Sequence, residues 1–213
     1  MSVKYELQVI ISGNGQVSFG KTIQAITHHL RREKETIQGF AETKLFSKEQ
    51  ETKILIAYID SMQLWFADVD FSKYIGEGAE QKIYESSDQR FVLKLNDSIF
   101  YAFWKDYLNS LLLHNYFFLH LAYELLGFCE VENQLYAVVK QAFVKSTEPT
   151  NLDHVNEFLF ANGFVRKRNN DYVHPELGII LEDLHDENVL TEEGVLQFID
   201  TIFFLMPEFY LLD

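Results

Sequence analysis

The feature that most constrains this chain lies in its last thirty-one residues. Asp183 is followed five positions later by Asn188, then by two short apolar runs, Val189-Leu190 and Val195 to Ile199. The runs fold around Glu192-Glu193-Gly194 and lead into Asp200. Apolar runs flanking a Glu-Glu-Gly turn read as a β-hairpin. A hairpin returns the chain to its starting point, so Asp200 is predicted to come back beside Asn188 and the loop that opens at Asp183. Two carboxylates and an amide oxygen are hard oxygen ligands of the kind Mg²⁺ takes alongside phosphates and water. Glu182, Asp183, Asp186, Glu187, Glu192, Glu193 and Asp200 fall within 19 residues that contain no Lys or Arg. Crowding such groups without a cation raises their pKa values and costs stability. An exposed acidic loop beside an ordinary hairpin is the other reading of the same pattern.

The chain has room for a real core. It holds 213 residues, 47% of them hydrophobic, with only three prolines, which is a globular composition. Its single cysteine, Cys129, excludes an internal disulfide and reads as a small buried hydrophobe. The N-terminus, with Lys4 and Glu6, carries no secretory pattern. The greasiest stretch, Leu111 to Phe128, contains His114, Asn115, His120 and Glu124 and therefore reads as a core helix, not a membrane span. A cytoplasmic protein is expected. The net charge is −14, of which −13 lies in residues 71–213. Such a body repels phosphate backbones, so no nucleic-acid partner is expected. The short basic runs Arg31-Arg32 and Arg166-Lys167-Arg168 read as solvated faces.

Periodicity divides the chain into three parts. Residues 1–70 read as a helical extension: Gln16 to Lys34 is amphipathic, and Ser47-Lys48-Glu49-Gln50 forms a capping box. The helix behind that box carries Ile54, Leu55, Tyr58, Ile59 and Met62 on one face. Residues 71–144 read as strands Tyr74-Ile75, Lys82 to Tyr84 and Arg90 to Leu95, then a long helix from Phe100 to Leu126 and a hairpin turning at Glu132-Asn133-Gln134. Residues 145–213 hold a helix, Leu152 to Ala161, stopped by Asn162-Gly163, and then the acidic loop and hairpin.

Two further elements precede the acidic loop. Gly76-Glu77-Gly78 sits in a turn between strands, where glycines let the backbone approach phosphate oxygens. In Phe91-Val-Leu-Lys94-Leu95, alternation sets Lys94 and Val92 on one face and Phe91, Leu93 and Leu95 on the other.

The order of these parts (glycine turn, strand lysine, helix, Asp-x4-Asn, hairpin, Asp) resembles the protein-kinase catalytic core. The loop also looks like that of aminoglycoside and other small-molecule kinases. The closest resemblance is to the kinase-like domain of bacterial polyvalent proteins, over about residues 71–200, with Asp183 through Asp200 the most specific part. It implies an α+β, two-lobed kinase-like fold with a truncated C-terminal lobe, binding ATP and Mg²⁺ and phosphorylating a hydroxyl of an unknown protein or small molecule. Carried over, Gly76, Glu77 and Gly78 would cover the phosphates and Ile83 would pack on adenine. Lys94 would pair with the α/β-phosphates. Val139 to Phe143, with Gln141, would be the hinge. Asp183 would be the catalytic base, and Asn188 and Asp200 the metal ligands. His185 would brace the loop.

The chain departs from that pattern in places. Gln81 stands where the loop's third glycine would be, Leu181-Glu182 where His-Arg precedes the base, and Ile202 where a glycine follows the metal acid. Asp106 is the first candidate for an acid partner of Lys94. Only 13 residues follow Asp200, leaving no activation segment or peptide platform, and the tail Phe203 to Leu212 must cap the core or bind a partner. These departures keep a second class open, a pseudokinase-like module of a mobile element that senses nucleotide without transferring phosphate. A third comes from Gly15-x4-Gly20-Lys21-Thr22, which satisfies the P-loop NTPase pattern if Tyr5 to Ile11 is a strand.

Overall fold

A computed structural model of the chain describes residues 2–40, 46–78, 81–86 and 88–211. Ala79 and Glu80 of the glycine turn, Ser87 of the next turn and Leu212 of the tail lie outside that set.

The chain opens with helix α1, Val3–Ile11, capped by the Ser2 hydroxyl, which accepts from the Tyr5 amide at 3.3 Å. Leu7, Ile10 and Ile11 recur at i, i+3 and i+4 and are all buried, a helical spacing. The strand that the P-loop pattern would need over Tyr5 to Ile11 is therefore a helix, and Gly15 to Thr22 has no strand before it. Helix α2, Gly20–Phe40, starts four residues later than the amphipathic pattern predicted. Phe19 takes a positive φ of 53° and breaks the run before it. Gln24 then binds the Ile10 and Gly15 carbonyls, both at 2.9 Å, which seals the connection between the two helices. Helix α3, Lys48–Met62, begins with the predicted capping box between Ser47 and Gln50.

A five-stranded antiparallel sheet follows, with α4 inserted between its third and fourth strands. In chain order these are β1 (Tyr74–Glu77), β2 (Gln81–Glu85), β3 (Phe91–Asn96), α4 (Trp104–Phe117), β4 (Glu124–Val131) and β5 (Gln134–Ala142). The sheet order is β1-β2-β3-β5-β4. The long helix predicted over Phe100 to Leu126 is thus shorter: it ends at Phe117, a 3-10 turn follows over Leu119–Leu121, and Glu124 to Leu126 already belong to β4. The Asn115 side chain binds both the amide and the carbonyl of Tyr123, at 2.7 and 2.8 Å, and turns the chain after α4. A buried helix and a buried strand read alike in an apolar run, so periodicity could not separate them. Gly127, at φ +150°, sits where a Cβ would collide with the Leu64 carbonyl. That close approach lets the segment after α3 bond to β4 through Phe128 N to Leu64 O (2.9 Å) and Phe66 N to Phe128 O (2.7 Å).

The remainder comprises α5 (Leu152–Ala161), then strands β6 (Val165–Arg166), β7 (Tyr172–His174) and β8 (Ile179–Glu182). The predicted hairpin, β9 (Val189–Glu192) and β10 (Val195–Phe198), comes next, followed by β11 (Ile202–Leu205). A four-stranded sheet runs β11-β8-β7-β6. The tail therefore closes this sheet. Beyond β11 a 3-10 turn, Pro207–Tyr210, buries Phe209 completely, and Gln8 of α1 binds the Phe209 carbonyl at 2.6 Å.

One hydrophobic cluster runs through all three sequence segments. It joins Leu7, Ile23 and Leu55 of the first three helices to Trp104, Leu108 and Leu112 of α4 and to Ile179, Leu181 and Phe203 below. Cys129 is buried in a second, smaller cluster with Val138 and Leu95. Among the described residues no helix is long and apolar enough to cross a membrane.

Candidate active site

Each candidate side chain is set by a local rule. Alternation along β3 sends Val92 and Lys94 to the same side, and both line a cleft of about 320 Å³. Gly76, Glu77, Gly78, Gln81 and Ile83 form one wall, Gln141, Ala142, Phe143 and Val144 the rear, and Asn188, Leu190, Ile199 and Asp200 the opposite wall. The hairpin closes as its apolar alternation predicts, pairing Val189 with Phe198. Its closure brings the amides of Ile199 and Asp200 onto the Asn188 carbonyl at 3.0 and 3.2 Å.

The loop before the hairpin is tightly wound. Asp183 adopts a positive φ of 63°, uncommon for a non-glycine residue. Its carbonyl and carboxylate both accept from the Asn188 amide nitrogen, at 2.8 and 3.0 Å. With both donor hydrogens of Asn188 engaged this way, its amide oxygen is left as the acceptor on the cleft wall it shares with Asp200. His185 lies inside the loop: its Nε2 is 3.3 Å from Asp183 Oδ1, and its Nδ1 accepts from the Glu187 amide at 3.3 Å.

Asp200 is the electrostatic centre. Burial raises its pKa first; the nearby Lys94 ammonium opposes that, and Asp183 adds to it. Lys94, only 3% exposed, donates to the Ile199 carbonyl at 2.6 Å and lies 3.5 Å from the Tyr123 hydroxyl. The Gln81 amide donates directly to an Asp200 carboxylate oxygen. Behind the cleft, α4 grips the segment that carries Asp200. The Ser110 hydroxyl accepts from the Phe203 amide at 3.0 Å, and His114 Nδ1 is 2.7 Å from the Thr201 hydroxyl. His114 is fully buried, which drives its pKa down to about 3 and keeps it neutral. Its Nε2 faces the Leu121 carbonyl at 2.9 Å and must carry the proton, so Nδ1 accepts from Thr201.

A family model of serine/threonine/tyrosine kinases found in polyvalent proteins matches residues 48–207. The chain belongs to that kinase family. No curated protein and no solved structure matches it. The match begins at the first residue of α3, so α3 falls inside the kinase region while α1 and α2 precede it.

Against this kinase frame, the sequence-derived residues divide. Gly76, Glu77, Gly78, Ile83, Lys94, Gln141, Phe143, Asn188 and Asp200 meet around the one cleft. Asp183 reaches it through Asn188. Val139 does not line it: it pairs with Lys94 across β3 and β5 and faces a smaller cavity behind. Strand β5 runs on to Ala142, so the chain leaves the sheet at Phe143 rather than at Val139, and the Gln141 side chain turns away to the Leu121 carbonyl at 2.9 Å. Asp106 is not the partner of Lys94. It stands at the start of α4 beside Lys105 (3.7 Å). As the sole acid of α4, it leaves that helix with no carboxylate for Lys94; Asp200 and the Ile199 carbonyl take that place. Tyr123, Glu187, Leu190 and Ile199 were missed. Leu190 and Ile199 were implicit in the hairpin alternation, whereas Tyr123 was hidden in the run read as helix.

Among the described residues no three His, Cys, Asp or Glu side chains cluster as a metal cage. A divalent cation here would rest on Asn188 and Asp200, with its other ligands from phosphate and water. That donor set suits Mg²⁺, which keeps much of its water.

Proposed function

We propose that this kinase transfers the γ-phosphoryl group of ATP, with Mg²⁺, to a hydroxyl acceptor, in a two-lobed arrangement around the cleft. The observation that carries the reading is the meeting of Lys94, Asn188 and Asp200 in a cleft walled by Gly76 and Gly78. In this reading the glycine turn lies over the triphosphate and Ile83, Val92 and Leu190 sandwich the adenine. The Lys94 ammonium neutralises phosphate charge. Asn188 and Asp200 would hold Mg²⁺, which when bound supplies charge neutralisation at the β- and γ-phosphates. Asp183, half exposed at 53%, faces outward to orient the acceptor hydroxyl and take its proton. The acceptor oxygen bonds to the γ-phosphorus as the bridging P–O bond breaks, and ADP leaves. Positioning and charge neutralisation supply most of the catalysis.

One observation favours a second reading, nucleotide sensing without transfer. The Gln81 amide occupies an Asp200 oxygen that a metal would otherwise use. Two measurements test the pair. Mg²⁺-dependent thermal stabilisation by ATP should be present in the natural chain and lost in Asp200→Ala. Single-turnover transfer from γ-labelled ATP should be present and lost in Asp183→Asn, with nucleotide binding retained. Stabilisation without product would leave only the sensor, stabilisation unaffected by Asp200→Ala would remove the metal-dependent transfer reading, and no stabilisation by ATP at all would remove both.

A further inference from the structure

Arg166, Lys167 and Arg168 are the only Lys or Arg residues after Lys145, among fourteen Asp and Glu in residues 146–213. Read in sequence they are a solvated face; the fold puts them somewhere specific. They occupy the end of β6 and the turn into β7. That turn is held by Lys167 N to Asp171 O (2.7 Å), Asp171 N to Arg168 O (2.9 Å) and the Arg166 guanidinium on Asn170 Oδ1 (2.6 Å). Asn169 and Asn170 both take positive φ, which asparagine tolerates better than most residues.

The turn is bonded to the loop that carries Asp183. The Asp183 amide donates to Asp171 Oδ1 and the Leu184 amide to the Asn170 carbonyl, both at 3.2 Å. Strand register agrees: Arg166 pairs with Tyr172 and Tyr172 with Leu181, two residues before Asp183. Two strand spacings of about 4.8 Å set Arg166 roughly 10 Å from β8, within the reach of long side chains and a bound peptide. All three basic residues are exposed, and among the described residues none makes an ion pair with an acid of the chain. Three cations that form no such ion pair, on a turn hydrogen-bonded to the Asp183 loop in a lobe otherwise acidic, are a feature that an anionic partner would complete.

We propose that the phosphoacceptor is an acidic polypeptide segment, its Ser or Thr hydroxyl at Asp183 and its flanking carboxylates on Lys167 and Arg168. This rests on the kinase reading of the cleft. The transfer is the one described above: the hydroxyl oxygen gains the γ-phosphoryl group, its proton passes to Asp183, and ADP leaves. A peptide fits better than a small molecule because the cations are exposed and lie outside the cleft, whereas small ligands need concave sites.

The test uses the full chain with Mg²⁺-ATP and three Ser/Thr peptides, flanked by Asp/Glu, by Gln, or by Lys/Arg. The acid-flanked peptide should have the highest kcat/KM. Lys167→Glu with Arg168→Glu, both exposed and away from the Arg166–Asn170 bond, should raise its KM about tenfold, since each exposed ion pair contributes up to about 1 kcal/mol. Added salt should erode the preference, because exposed charges are screened within about 8 Å at physiological ionic strength. The ATP-induced rise in melting temperature serves as the folding control. Equal turnover of all three peptides, transfer to small anionic alcohols alone, or a preference that survives the double reversal overturns the proposal. ATP turnover with no acidic preference defeats this proposal alone; absence of both ATP binding and turnover defeats it together with the kinase reading.

Discussion

Glu51 offers the sharpest quantitative prediction. It extends from α3 and is 2% exposed, and its carboxylate accepts from the Trp104 amide at the first turn of α4. Burial raises its pKa from the ordinary glutamate value of 4.5 to about 7. The Trp104 amide resists that rise, and Asp106 adds to it; the Lys105 amide and ammonium oppose it more weakly. Lys48, one turn earlier in α3, is tied to the Ser98 and Tyr101 carbonyls. The sign follows from proton counts. Between pH 4.5 and 7 the folded chain keeps a proton that the unfolded chain has released, so stability falls as pH rises through this window and levels off above 7. A gap of about 2.5 pH units corresponds to about 3 kcal/mol. Glu51→Gln keeps an oxygen acceptor for the Trp104 amide and cannot ionise. Urea denaturation should find the two proteins within about 1 kcal/mol of each other at pH 4.5. At pH 8 the variant should be more stable by as much as 3 kcal/mol. Comparing the pair isolates this group, because His114 and the other titrating residues are common to both. A difference that does not change with pH, or a variant less stable at pH 8, would refute the reasoning.

Two further substitutions probe neighbouring claims. Thr201→Val keeps the branched shape but leaves His114 Nδ1 buried without its donor, so stability should fall by about 1–3 kcal/mol in chemical denaturation and phosphoryl transfer should fall with it. Lys21→Ala should leave Mg²⁺-ATP stabilisation unchanged in a thermal-shift titration, because Gly15 to Thr22 follows a helix instead of the strand a P-loop needs, and Lys21 is exposed in the first turn of α2; loss of stabilisation would revive the P-loop reading.

Much of the candidate site could be read from the sequence because its determinants are short-range. The Ser47–Gln50 capping box, the α5 helix with its Asn162-Gly163 stop, the β9–β10 hairpin and the alternation that sends Lys94 inward each depend on a few neighbouring residues. Spacing was therefore sufficient to bring Asp183, Asn188 and Asp200 together. Three outcomes depended on contacts between residues far apart in sequence. The run from Phe100 to Leu126 divides into helix and the start of β4 because Asn115 captures the Tyr123 backbone, a contact that hydrophobic periodicity cannot encode. Lys94 found the Ile199 carbonyl and Asp200 rather than Asp106, because β3 faces the returning hairpin while the only acid of α4 lies at the helix start. The basic turn acquired meaning only when β7 and β8 paired and set it beside Asp183. Local spacing determined which groups carry the chemistry; tertiary packing decided what each of them faces, because a side chain's partner is chosen by whichever strand or helix closes over it.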